Sequence, residues 1–162
     1  MSEVYLGNPN LKKANTSIEF TEDQIREFMK CKQDPVYFAN NYIKIVSLDE
    51  GLTQFHPYHF QEKLINNFHG NRFNICKMPR QTGKSTTVVS YLLHYAVFND
   101  SVNIGILANK AATARELLGR LQTAYENLPR WMQQGIISWN KGSLELENGS
   151  KILAASTSAS AV

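Results

Sequence analysis

The stretch Met78-Pro79-Arg80-Gln81-Thr82-Gly83-Lys84-Ser85-Thr86 decides how the rest of the chain reads. Gly83-Lys84-Ser85 closes the phosphate-loop pattern G-x-x-x-x-G-K-[ST], and Met78 stands where that pattern opens with a glycine. The chemistry explains the residue types. Loop and helix N-terminal N–H groups point at an anion and the helix dipole favours it. A glycine lets the phosphate approach where a Cβ would stand. The lysine brings a point charge to the outer phosphates, and the hydroxyl of Ser85 is a ligand for Mg²⁺. Arg80, Gln81, Thr82, Gly83, Lys84, Ser85 and Thr86 are therefore the candidate contacts to ATP, with Ser85 the candidate metal ligand and Arg80 and Lys84 the candidate catalytic residues. The competing reading is a chance Gly-Lys-Ser-Thr at a helix start. Arg80 stays open between a surface arginine and one that reaches the γ-phosphate in cis to offset transition-state charge.

The flanks supply the setting. Residues 73–78, before the loop, are a short apolar run expected as a buried strand. After it, Val88, Val89, Leu92, Leu93, Ala96 and Val97 recur at helical spacing until Asn99-Asp100. Residues 102–108 read as a second strand and residues 110–127 as a helix with Leu117, Leu118, Leu121 and Ala124 inside. Strand, loop, helix, strand, helix is the unit of a parallel sheet, so the two strands are expected to be parallel, as neighbours or near-neighbours, in a three-layer α/β fold. Three further short strands follow at 136–139, 143–147 and 151–155. Asn148-Gly149 between the last two is a strong hairpin signal.

Upstream, residues 1–20 are polar and read as an arm or extended segment. Thr21-Glu22-Asp23-Gln24 is a capping box, and Asp34-Pro35 ends one helix and starts another. Residues 47–53 read as a linker, which divides the chain into an N-terminal arm and helical segment, 1–50, and an ATPase part, 51–162. A third helix is expected from His56-Pro57, bearing Phe60, Leu64, Ile65 and Phe68 on one side. Within it, Gln61 has the amide pair that can read adenine N6 and N7. Tyr58 or Phe60 can line a base pocket, although an aromatic at helical spacing is more often core.

Composition sets bounds. Hydrophobic residues make up 43% of the 162 and charged residues 19%, a globular balance. A net charge of +3 with scattered basic residues is too mild to argue for nucleic acid. Cys31 and Cys76 match no metal spacing, and no apolar stretch approaches a membrane span. No apolar run followed by Asp-Glu, the setting that holds Mg²⁺ and orients a water, occurs after the loop. Glu145 and Glu147 alternate with leucines and read as a solvated hairpin face.

Taken together, Asp34-Pro35-Val36-Tyr37-Phe38-Ala39, Phe60-Gln61, the Met78–Thr86 stretch, Ile104-Gly105-Ile106-Leu107-Ala108, Trp139-Asn140-Lys141-Gly142-Ser143 and Asn148-Gly149-Ser150 resemble large terminase subunits of myovirus type. Arg-Gln-x-Gly-Lys-[ST] without a leading glycine is more specific to that family than the generic loop. The resemblance implies a P-loop NTPase of the additional-strand (ASCE) type: a parallel sheet flanked by helices, with helices before it and an antiparallel hairpin or meander at its C-terminal side. It implies that Gln61 reads adenine, that Lys84 and Ser85 hold phosphates and Mg²⁺, and that Arg80 is the loop arginine. The implied role is to power translocation of double-stranded DNA into a procapsid. The implied partners are DNA, the portal protein and the small terminase subunit, in a ring oligomer at the portal vertex in the host cytoplasm, away from membrane. A family member continues into an Asp-Glu motif and a nuclease domain, so the chain is expected to be an N-terminal piece that grips ATP without turning it over. A helicase-type P-loop ATPase and a non-catalytic docking module for the small subunit or portal are the alternatives.

Overall fold

Local capping signals set the first helices. In the computed structural model, which describes residues 3–47 and 49–157, the chain opens with two short antiparallel strands, β1 (Val4–Tyr5) and β2 (Asn8–Lys12). Helix α1 (Glu22–Gln33) follows, with Gln24 N–H donating to the Thr21 hydroxyl and the Gln24 side chain accepting from Thr21 N–H. Asp34 then accepts from the N–H groups of Val36 and Tyr37 at 2.9 Å each and starts α2 (Pro35–Tyr42). The stretch expected as a linker folds instead as a hairpin of β3 (Lys44–Ser47) and β4 (Gly51–Gln54). Gly51, at φ +70°, supplies the left-handed turn residue.

Helix α3 (His59–Gly70) begins three residues later than His56, and α4 (Lys84–Phe98) starts directly after Gly83. Then come β5 (Asn103–Ala108), α5 (Ala111–Glu126), β6 (Ile136–Trp139), β7 (Ser143–Leu146) and β8 (Lys151–Ser156). The last three strands form the expected antiparallel meander, and the turn before β8 is made at Gly149, φ +81°. The sheet order is β5-β8-β7-β6, and β8 runs parallel to β5 from Asn103 opposite Lys151 to Ala108 opposite Ser156.

The fold is α/β, but two expectations about the sheet are overturned. Residues 73–79 form no strand, and Phe73 and Ile75 are 83% and 99% exposed. The apolar run has no neighbouring strand to receive its backbone groups, and a strand exists only as half of a hydrogen-bonded pair. Nor do the described residues make three layers, with helices on both faces of the sheet. Helix α5 covers one face, where Ile104, Ile106, Leu144, Leu146 and Ile152 are buried with Leu118 and Leu121. On the opposite face Leu107, Leu153 and Ile137 remain about half exposed or more. Strand β5 is an edge in the described residues.

The core joins the helices through aromatic contacts. Phe98, at the end of α4, packs edge-on against Phe38 of α2 and Phe28 of α1, with ring centroids 5.3 and 4.9 Å apart. Residues 4–12 are largely extended, as expected, yet tied down rather than free. Leu11 is buried, Ala14 N–H donates to Ile136 C=O, and Lys12 pairs with Glu147 at 3.2 Å. Glu147 therefore leaves the solvated face assigned to it. It lies past the end of β7, in the turn, whereas Glu145 pairs with Lys151 at 2.9 Å.

Candidate functional site

The loop between residues 78 and 84 is shaped by two left-handed residues, Gln81 at φ +62° and Gly83 at φ +71°. Gly83 is the N-cap of α4 and its carbonyl accepts from both the N–H and the hydroxyl of Thr87, at 3.0 Å each. The 15-residue helix thus begins at the loop and directs its N-terminal partial positive charge there. Thr82 donates its hydroxyl to Pro79 C=O at 3.0 Å. The Lys84 ammonium curls back over the same turn, donating to Pro79 C=O at 2.6 Å and Met78 C=O at 3.1 Å. Ser85 and Arg80 are exposed, and Thr86 is half-buried beside them.

Gln61 reaches the loop from α3. Its Oε1 accepts from Tyr58 N–H at 2.8 Å, fixing the first turn of its own helix, and its Nε2 donates to Thr82 C=O at 3.3 Å. The side chain is buried, and a Cβ on Gly83 would collide with its amide nitrogen. Glycine is thus needed at 83 for two reasons, the backbone angle and the space.

Beside Gln61 and the loop lies a cleft of about 600 Å³. Gln81, Thr82, Gly83 and Thr86 line one side, and Tyr58, Phe60 and Gln61 continue it. The rings of Tyr58 and Phe60 stack 5.9 Å apart at 10°. Phe60 is 45% exposed, so it is a surface aromatic and not the core residue that helical spacing suggested. The remaining wall was not anticipated. It comes from the β3–β4 hairpin, through Ile45, Glu50 and Thr53, and from Phe55 and His56 after it. The signal in the sequence was Gly51 after two acidic residues, between two short runs carrying Ile, Val and Thr.

The structure therefore brings Gln61, Gln81, Thr82, Gly83 and Thr86 to one cleft, with Lys84 bonded to its floor-forming loop. Arg80 and Ser85 adjoin in sequence and do not line it. No group of three or more His, Cys, Asp or Glu side chains placed to hold a metal occurs among the described residues. Of the five carboxylates after the loop, four are engaged elsewhere: Glu116 with Arg120, Glu126 with Asn8, Glu145 with Lys151 and Glu147 with Lys12; the fifth, Asp100, is exposed beyond the far end of α4 and does not line the cleft.

Residues 75–161, more than half of the chain, match the family described as terminase large subunit, T4likevirus-type, N-terminal. The chain belongs to this terminase family. The matched span includes the loop, β5 and the whole antiparallel meander, and it begins inside the exposed segment before the loop. Gln61 and the β3–β4 hairpin lie upstream of the terminase match, so their place at the cleft rests on geometry. None of the described helices is long and apolar enough to cross a membrane.

Proposed function

We propose that this terminase chain binds ATP with Mg²⁺ at the loop 79–86, as the nucleotide-gripping part of an additional-strand P-loop motor that drives double-stranded DNA into a procapsid. The observation that carries the reading is the meeting of Gln61 with Gly83 at the rim of a cleft large enough for a nucleotide. Helix α4 begins at this point, where an anion is stabilised by free N–H groups and the dipole. In this reading the N–H groups of residues 82–85 hold the phosphates, Lys84 exchanges its two carbonyl partners for phosphate oxygens, and the Ser85 hydroxyl is a Mg²⁺ ligand. Mg²⁺ bound there neutralises charge on the phosphate oxygens. Arg80, exposed on the loop beside the cleft, meets the outermost phosphate in this reading. Gln61 serves the base, and the stacked Tyr58 and Phe60 rings offer it an apolar flank.

The step proposed for residues 1–162 is binding. Hydrolysis needs a held water and a base, and no Asp-Glu pair on an apolar strand follows the loop in residues 87–162. In the packaging machine the proposed partners are DNA, the portal and the small terminase subunit, in a ring at the portal vertex. Titration of a fluorescent ATP analogue, with and without Mg²⁺, tests the binding step. Saturable binding, strengthened by Mg²⁺ and competed by ATP, is expected; a signal that unlabelled ATP leaves unchanged contradicts it.

A further inference from the structure

Among the described residues, Glu50 is the only carboxylate lining the cleft. It sits in the turn of the β3–β4 hairpin, exposed, and makes no ion pair or hydrogen bond of its own among the described residues. The hairpin presents it in a fixed frame. Ile45 lies opposite Thr53 and Ser47 opposite Gly51 in the register, and Ile45 and Thr53 both face the cleft. Asp49 N–H donates to the Ser47 hydroxyl at 3.3 Å, and Gly51 turns the chain at φ +70° directly after Glu50.

A carboxylate in a cleft that takes a polyanion needs a reason. Near the phosphates it would repel them, and Ser85, the proposed Mg²⁺ ligand, does not line the cleft, so the partner left for Glu50 is a neutral donor of the nucleotide. The base is served by the flat aromatic pair and Gln61. The donors left over are the ribose hydroxyls, and a carboxylate accepts two of them well because it offers two oxygens with no competing proton.

We propose that Glu50 accepts the ribose hydroxyls of the bound nucleotide and makes the site select ribonucleotides over deoxynucleotides. This rests on the nucleotide reading of the cleft. The hairpin is then the wall that recognises the sugar, while the loop grips the phosphates.

The experiment is calorimetric titration of the whole chain with ATP, 2′-deoxy-ATP, 2′,3′-dideoxy-ATP and ITP, for wild type, Glu50→Ala and Glu50→Gln. Wild type is expected to bind ATP roughly five- to tenfold more tightly than dideoxy-ATP, as for one charge-assisted bond weakened by solvent. Glu50→Ala should lower ATP affinity to the dideoxy level and leave dideoxy-ATP unchanged, and Glu50→Gln should fall between. Thermal melts should superimpose, because the residue is an exposed turn position. Equal losses for ATP and dideoxy-ATP in Glu50→Ala, or no loss at all, overturn the role of Glu50 while leaving the site intact. A loss that persists with dideoxy-ATP but vanishes with ITP shows that Glu50 reads the base and overturns it too. No binding of any nucleotide by wild type overturns the cleft as a nucleotide site, and the role of Glu50 with it.

Discussion

The carboxamide of Gln61 occupies the space that a side chain on Gly83 would need, and it holds the adjacent Thr82 carbonyl at 3.3 Å. Helix α3 and the phosphate-type loop are therefore braced against each other through one buried amide. Gly83→Ala meets two obstacles, a left-handed φ of +71° and Gln61 itself. The backbone alone costs about 1–2 kcal/mol. In a chain of this length that is a fall in Tm of roughly 2–8 °C, on the usual scale of ~2–4 °C per kcal/mol. Nucleotide binding should be lost along with it. A Gly83→Ala protein with unchanged melting and binding would contradict the brace.

Gln61→Ala tests the other half of the same contact. It leaves the Thr82 carbonyl and Tyr58 N–H without their partner; both are partly open to water, so the cost is about 0.5–1.5 kcal/mol per bond. Gln61→Glu keeps the bond to Tyr58 N–H but sets an acceptor against the Thr82 carbonyl, so it should be no better than alanine. Denaturant midpoints read this directly. Wild-type stability in Gln61→Glu would show that the Thr82 bond carries no weight.

His94 gives the chain an acid sensitivity. The ring is buried, and its Nε2–H donates to Cys31 C=O at 2.8 Å, while Nδ1 has no hydrogen-bond partner among the described residues. Burial pushes the imidazole down to about 4, with the nearby His69 ring acting in the same direction and the Cys31 carbonyl and Asp34 opposing. The folded value lies below the ordinary 6.5, so the unfolded chain takes up the proton first. Stability conferred by neutral His94 is complete above pH 6.5 and is lost as pH falls toward 4. At ~1.4 kcal/mol per pH unit the loss reaches roughly 3 kcal/mol. Urea midpoints across pH 7 to 4 should fall in wild type and flatten over this range in His94→Phe. A flat wild-type profile contradicts the assignment.

Glu147 ties the first residues to the far end of the chain. Burial raises its carboxyl, but the Asn15 N–H, the Lys12 ammonium and the Gly135 backbone together hold it below the usual 4.5. That stability is present above the unfolded value and fades as pH drops through the lower folded one. Gly135 packs so closely that a Cβ there would strike both the Glu147 carboxylate and Ala14. Gly135→Ala should cost about 1–3 kcal/mol, as overpacking does, and free residues 3–15 for protease cleavage. Unchanged protease resistance at the N-terminal side would refute this.

These contacts mark where the sequence stopped being readable. Thr21 with Gln24, Asp34 with Pro35, and Asn148-Gly149 act within a few residues, so their local chemistry announced the helices and the hairpin they make. Lys12 and Glu147 stand 135 residues apart, and no local pattern joins them. Glu147 looked like a solvent-facing partner of Glu145 because alternation was extended one residue past the strand. The apolar run at 73–78 misled for a related reason. Apolar character states that a strand would be buried if formed, but its formation depends on a neighbouring strand. Loop residues 79–86 were legible as a motif, and Gln61 as a candidate beside it. The hairpin wall was hidden because its acidic turn read as a linker.

Phe73 and Ile75 follow from the same correction. At 83% and 99% exposure they contribute nothing to this core, so Phe73→Ser and Ile75→Ser should leave stability within about 0.5 kcal/mol of wild type. A buried strand residue would cost several times that. Chemical denaturation of the two variants distinguishes the cases, and a loss above 2 kcal/mol would place the run inside a core.

The most direct test of the central claim is calorimetric titration of the chain and of Lys84→Ala with ATP and Mg²⁺. Among the described residues the half-buried Lys84 side chain bonds only to the Met78 and Pro79 carbonyls of its own loop, so alanine removes a charge and should leave the fold in place. The account predicts measurable binding by wild type and a loss of at least roughly tenfold in Lys84→Ala, the scale of a charge-assisted phosphate contact. Equal affinity in the two proteins would mean that the loop is not where the nucleotide binds.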